Sequence, residues 1–401
     1  MRHRIQLKLY PFLYLLMICI FGYSANDMAT STNAYQKQGV RTMVYVYLIA
    51  ILVLLACYLL SKRKLKILPC GIPISLIALW TIIDNLMLGN FFGANRWTSL
   101  THGGLTVWWI LAMIFGYYYP QSNSGKERQL NFMITLMLVY YCYQFVDVAI
   151  VSNSTHDYTT VLNIVYRVIV FVPFVYLTQT GKIRTIMILI ISALTLVSFK
   201  RGAIIVMPIM LFTGYFINNR VEGERIKNPI KKLMMGVAVI CLIAIALVVL
   251  DKYTEGFLSY RFSRDQLVYG SSRSDKYASA ISEISNRSFV PLMLGIGSGV
   301  RSGVHNEVLE FAYTFGLIGL LLYIALFICM LNRTRQLIIR KSKYAAPYAM
   351  IFVYIFVVGL FSGVYFTHST FYLMLTLGMV ENKVEEELKT IESGNYHAPG
   401  Q

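Results

Sequence analysis

The chain has 401 residues, 57% of them hydrophobic and 14% charged, with a mean hydropathy of +0.58 and a formal net charge of +17. A soluble domain carries about a quarter of its residues as charges, so this composition excludes a soluble globular protein and points to a membrane one. The positive balance does not imply nucleic acid as a partner, because membrane topology accounts for where the cations fall.

Crossing ~30 Å of hydrocarbon takes about 17 to 25 apolar residues. Twelve runs of that kind lie near 6–24, 43–60, 68–89, 103–119, 130–151, 161–178, 183–199, 203–218, 233–250, 306–331, 345–361 and 364–380. The first follows Met1-Arg2-His3-Arg4 and reads as an uncleaved span rather than a signal peptide, since Tyr23 stands where cleavage wants a small residue. Only Ser362-Gly363 separates the last two runs, so a single bent segment is the alternative there. With the N-terminus inside, 23 of the 36 Lys and Arg lie on inside segments and 12 outside, seven of these in one long loop. Both termini are then cytoplasmic and the loop faces outward. Trp97, Trp108 and Trp109 near the outer face fit an interfacial belt.

The expected fold class is therefore all-α: a polytopic integral membrane helical bundle of about 12 transmembrane helices. Residues 1–250 hold nine spans, 251–305 the large outward loop, 306–380 three more spans and 381–401 a cytoplasmic tail. The six cysteines, Cys19, Cys57, Cys70, Cys142, Cys241 and Cys329, sit in or beside apolar runs without a C-x-x-C pair or a Cys/His cluster. Neither disulfides nor a metal or other cofactor is expected.

Inside the long loop, Ser272 to Ser288 has helical spacing, with Tyr277, Ile281 and Ile284 on one face and Ser272 or Ser274 as cap. This helix is expected to lie across the mouth of the bundle. Pro291 and Gly295-Ile296-Gly297-Ser298-Gly299 then interrupt the chain. No strand precedes these glycines, so they read as a turn rather than a phosphate cradle.

An outward-facing loop has no ATP, so a synthetic reaction there needs a donor activated inside and carried on lipid, such as a glycan on polyprenyl pyrophosphate. Its leaving group is anionic, and arginine suits it because the guanidinium is planar, bidentate and always charged. The outward arginines are Arg201, Arg261, Arg264, Arg273, Arg287 and Arg301. Arg201 lies in the short connection Phe199-Lys200-Arg201-Gly202, where it is either a snorkelling residue or a pyrophosphate ligand. His305 is the base candidate, since its ordinary pKa of about 6.5 suits proton transfer near neutrality. Asn306 and Glu310 share a helix face four residues apart; Glu310 orients a neighbour or serves as base itself. Asp147 and Arg167 fall at similar depth in adjacent spans and read as a buried ion pair, with Arg167 lining a pyrophosphate cavity as the alternative.

His305-Asn306, nine residues, then Gly316-Leu317-Ile318-Gly319 resembles the signature of the bacterial O-antigen ligases: His, then Asn, Ser or Gln, nine residues, then Gly-x-x-Gly/Thr/Tyr. A long outer loop followed by a His-Asn helix in the last third is also similar to the O-antigen polymerases. This polymerase/ligase superfamily resemblance implies a GT-C-like bundle acting as a metal-independent glycosyltransferase at the outer face of the bacterial cytoplasmic (inner) membrane. It gives His305 the role of base and Arg201 that of the arginine at an outer helix end. The ligases share an Arg-x3-Leu element in the loop; Arg264-Asp265-Gln266-Leu267 is one residue short of it, so Arg273 is preferred, with Arg264 as alternative and Arg261 nearby. Gly316 and Gly319 are expected to allow close helix packing. The implied partners are polyprenyl-pyrophosphate-linked glycan donor and acceptor, membrane lipids, a chain-length regulator and a flippase, with no nucleic acid. Polymerase is preferred; ligase is the first alternative, and a glycolipid transporter or flippase the second. A non-enzymatic assembly subunit is a further class, told apart by tolerance of His305→Ala.

Overall fold

A computed structural model of the chain describes residues 66–90, 96–122, 124–154, 164–221, 273–297, 306–361 and 370–392, with isolated positions between 245 and 263 and at 304. The spans expected near 6–24 and 43–60, and most of that near 233–250, lie outside the described residues. Every described element is helical: α1 (Gly71–Met87), α2 (Arg96–Tyr118), α3 (Ser124–Ser154), α4 (Tyr166–Ile169), α5 (Val172–Thr178), α6 (Gly181–Val197), α7 (Arg201–Val221), α8 (Arg273–Ser285), α9 (Phe289–Leu294), α10 (Glu307–Ile339), α11 (Ala345–Phe361) and α12 (Thr370–Glu392). Among the described residues two helices, α7 and α10, are long and apolar enough to cross a membrane. Shorter apolar helices cover α1, the second half of α2, the pair α4–α5, and α11.

The helices wear their apolar side chains outward. On α1, Ile72, Leu76, Leu79, Ile83 and Leu86 are exposed at i, i+4, i+7, i+11 and i+14, while Thr81, Asp84 and Asn85 are buried. Exposed stripes recur as Ile205, Ile209, Phe212 and Phe216 on α7 and as Leu321, Ile324, Ile328 and Leu331 on α10. A water-solvated helix shows the reverse pattern; polar inside and apolar outside is what a lipid solvent selects.

At the centre runs α12, buried on all sides from Thr370 to Asn382. It packs along α2, where a Cβ at Gly116 would collide with the Leu375 carbonyl and one at Gly378 with the Met113 carbonyl. Small residues at a crossing let two backbones touch, which supplies dispersion contacts where lipid offers no hydrophobic drive. Tyr372 of α12 meets Phe171 and Tyr141 at ring-centroid distances of 5.0 and 5.9 Å, tying α3 and the α4–α5 joint to the core. α1 packs on α2 and α10, α10 on α11, and α11 on α7 and α5.

Three expectations change in detail. The run at 161–178 is two short helices, because Pro173 at the start of α5 lacks an N–H and its ring displaces the Ile169 carbonyl. The segment at 345–380 is two helices, α11 and α12, and α12 continues without interruption through the expected tail boundary at 380 to Glu392. The loop helix α8 buries Ala280, with Tyr277 and Ile284 beside it, whereas Ile281 is 51% exposed. Positions 277, 280 and 284 make an i, i+3, i+7 stripe, and the apolar character of Ile281 does not turn it inward. α8 starts at Arg273, so Ser274 lies inside its first turn rather than at its cap, and Asp275 there complements the helix dipole.

Candidate functional site

The site forms around the start of α10. Asn306 caps that helix: its side-chain oxygen accepts from the Leu309 N–H at 3.1 Å, and its amide donates to the Leu360 carbonyl of α11 at 3.4 Å. Both functions of the amide thus serve the fold. The next residue, Glu307, is buried and accepts a hydrogen bond from the Tyr323 hydroxyl at 2.8 Å, against Gly359 of α11. Glu310, one turn on, is also buried, and its backbone N–H donates to the Asn306 carbonyl at 2.8 Å. Two carboxylates therefore enter the bundle at the first turn of the helix, where its N-terminal dipole favours negative charge.

α10 is not continuous. At Gly316 the backbone takes φ 65° and ψ −167°, a region open essentially to glycine alone, and Gly295 in the facing turn does the same at φ 88° and ψ −158°. The two glycines lie backbone to backbone, so a Cβ on Gly316 would strike the Met293 carbonyl and one on Gly295 the Thr314 carbonyl. Their role is a helix break and not the helix–helix packing expected of Gly316; Gly319 follows the break, tucked against Phe315 and near Trp80.

A broken helix frees carbonyls that must find donors. The Tyr313 carbonyl accepts from Arg287 at 2.6 Å. The Thr314 carbonyl accepts from the N–H groups of Ile296 and Gly297 at 3.1 and 2.8 Å. The Phe315 carbonyl accepts from the Trp80 indole at 3.1 Å. The described part of the glycine segment, 295–297, thus commits the N–H groups of Ile296 and Gly297 to the break. Arg287 also stacks over the Tyr313 ring at 4.5 Å to its centroid, and the Tyr313 hydroxyl donates to Glu283 of α8. Arg287 therefore fastens the segment between α8 and α9 to α10.

Two cationic termini meet nearby. The turn between α6 and α7 holds Phe199 at φ 51°, unusual for a bulky residue, with Lys200 N–H on the Ser198 hydroxyl. It aims Lys200 at the Tyr166 ring, 5.9 Å from its centroid, and starts α7 with half-buried Arg201. Half-buried Arg273, the first residue of α8, lies within electrostatic reach of the same Tyr166. The Tyr354 hydroxyl donates to the Tyr166 carbonyl at 3.3 Å and is itself within electrostatic reach of Glu307. Two buried tyrosines so connect the acidic start of α10 with the cationic starts of α7 and α8.

Arg167 is half-buried and acts on Tyr141 rather than on an aspartate. Asp147 is exposed, and no ion pair joins it to Arg167 among the described residues. The helix explains this: Tyr141 faces inward, and six residues further, about 240° around the axis, Asp147 faces outward. His305, Arg261 and Arg264 lie outside the described residues. The residues the spacing argument passed over are Glu307 and Tyr323, and Asp84 on α1. A carboxylate in an apolar helical run was the available signal for Asp84. Glu307, three residues before Glu310 on the same helix, shares its face.

Compared with known proteins, the chain matches no family model and no curated protein.

Proposed function

We propose that this chain is a twelve-span glycosyltransferase of the bacterial cytoplasmic membrane that polymerises polyprenyl-pyrophosphate-linked oligosaccharide repeat units at the outer face. The observation that carries this reading is the convergence of Arg273 and the Lys200-Arg201 turn on Tyr166, linked through Tyr354 to Glu307 at the start of α10. Cations at one side and carboxylates at the other suit a reaction that releases a pyrophosphate and removes a proton.

In this scheme the acceptor hydroxyl oxygen attacks the anomeric carbon of the donor glycan. The bond from that carbon to the pyrophosphate oxygen breaks, and its electron pair leaves with the polyprenyl pyrophosphate. Arg201 and Arg273 hold that charge, supported by Arg261 and Arg264 in the loop. The acceptor proton passes to His305. Buried Glu307 and Glu310 follow His305 by two and five residues in the sequence, and negative charge there would favour the protonated form of the base. A ligase would use the same parts and differ only in acceptor, a lipopolysaccharide core. A transporter is favoured by a different observation, the break in α10 beside a buried aspartate, because broken helices and buried acids mark ion-coupled carriers.

The test is a surface-glycan gel from a strain lacking the protein, beside strains restored with wild type or His305→Ala. Core bearing a single repeat with no ladder is the expected result. A bare core with accumulated lipid-linked polymer would make it a ligase, and a normal ladder would sink both. Purified protein given radiolabelled lipid-linked glycan makes a longer product if it is a transferase and none if it is a carrier.

A further inference from the structure

A second feature at the same end of the bundle stands apart from glycan transfer. Asp84 is fully buried, and neither of its carboxylate oxygens has a hydrogen-bond partner among the described residues. Its neighbours on α1 locate it. Trp80, one turn before, donates to the Phe315 carbonyl at the α10 break, and Leu88, one turn after, stands against Gly297, whose N–H bonds the Thr314 carbonyl. Residues four apart share a helix face, so Asp84 lies between two contacts to that break. The Thr314 hydroxyl, within the break and 3% exposed, also has no partner among the described residues.

Among the described residues, the elements packed on α1 show no counter-charge at Asp84. α10 carries Glu307, Glu310, Tyr313, Tyr323 and Cys329, with Arg333 and Arg335 towards its far end. α2 ends on Tyr117 and Tyr118, and the side chains of its Arg96 and His102 lie outside the described residues. Burial is the one influence that acts appreciably on Asp84. A bare carboxylate in so dry a place is costly, and a positive charge from solution is what remains to neutralise it.

We propose that Asp84 and the Thr314 hydroxyl form a binding site for one monovalent cation, a proton or an alkali-metal ion, at the break in α10. The two groups are not hydrogen-bonded to each other; an ion between them would take the Thr314 oxygen as a neutral ligand, whereas a proton would rest on the carboxylate alone. One carboxylate and one hydroxyl carry a single negative charge, which matches a monovalent ion. Occupancy would hold α1 against the break, and with it the piece of α10 that presents Glu307 and Glu310.

The test uses the purified full chain in lipid nanodiscs. Infrared difference spectra between about pH 5 and about pH 9 read the carbonyl band of a protonated carboxylic acid. If the ligand is a proton, wild type shows a band that Asp84→Asn removes and Asp84→Glu shifts. If it is an alkali-metal ion, the melting temperature rises with the logarithm of sodium concentration, against choline at constant ionic strength. That rise disappears in Asp84→Asn and Thr314→Val. Asp84→Glu keeps the carboxyl, so the assignment survives should the asparagine variant fail to fold. No band assignable to Asp84 together with no sodium-specific stabilisation overturns the proposal.

Discussion

Where α2 ends and α12 emerges from the bundle, Arg333 holds Glu381 through two hydrogen bonds of 3.0 and 2.6 Å, with both side chains nearly buried. Glu385 beside them takes Lys66 at 3.0 Å, Lys389 at 2.9 Å and the Tyr117 hydroxyl, while Lys383 bridges Glu127 and Glu386 at 2.7 and 3.0 Å. At the opposite end Glu307 meets a tyrosine hydroxyl, Lys200 and Arg273 gather about a tyrosine, and Asp84 meets nothing among the described residues. Charges matched in pairs at the first end cancel locally and leave little potential for a ligand. At the second end the described acids of α10 and the described cations that begin α7 and α8 stand on different helices, with Tyr166 and Tyr354 between them.

The largest effect expected from breaking this contrast is at the paired end. Arg333→Met strands Glu381, 4% exposed, and should cost about 3–5 kcal/mol of stability in thermal unfolding, while transfer per folded molecule stays at the wild-type rate. Adding Glu381→Leu should recover most of that loss; if it does not, the pair is more than mutual neutralisation. Gly316→Ala comes next. It forces a side chain into a glycine-only conformation, at about 1–3 kcal/mol, and adds a collision with the Met293 carbonyl, so it should lower both stability and transfer. Glu307→Gln keeps the shape and the Tyr323 hydrogen bond at the opposite end. A fall in transfer of about 100-fold, or about 2.7 kcal/mol of barrier, with an unchanged melting temperature is expected there. A melting temperature that falls with the activity would instead mark Glu307 as structural. The pH–rate profile separates the two roles, since only a residue acting on the base moves its midpoint.

Most helices were legible because a span's length and apolarity are additive properties of a run, as at 203–218 or 345–361. The breaks were not. Gly316 and Gly319 have the spacing of packing glycines, and only the facing Gly295, twenty-one residues earlier, makes Gly316 a break; no local pattern encodes that pairing. The pairing of Asp147 with Arg167 failed for a related reason: equal depth says nothing of azimuth, and the side of α3 on which Asp147 lies was set by what Tyr141 buries. Asp84 was legible in principle, as an acid in an apolar run, yet nothing in the run shows whether such an acid faces a partner. Arg201 was chosen as the arginine of a short connection between spans and Arg273 as a loop arginine; α7 begins at the first and α8 at the second, and Lys200 and Arg273 lie within reach of Tyr166.

Acid should separate the two ends by pH, with the smallest effect of the series. Burial pushes the Glu385 carboxyl up, but hydrogen bonds from Tyr117, Lys389 and Lys66 outweigh it and hold the group at about 2, below its ordinary 4.5. A folded-state pKa below the unfolded one means that the contribution is complete above pH 4.5 and is lost as the pH falls towards 2. Since Lys66 and Lys389 are largely exposed, the contribution is expected at the about 0–1 kcal/mol typical of surface pairs. The melting temperature of purified protein should therefore decline across that window, and decline less in Glu385→Gln. Under the proposed mechanism transfer needs His305 unprotonated, so it should already fall through a midpoint at or above the ordinary histidine value of about 6.5, where the fold is still intact. Two separated midpoints would assign stability to the paired end and chemistry to the opposite one. A single shared midpoint would mean that activity is lost through unfolding, and the contrast between the ends would have no functional content.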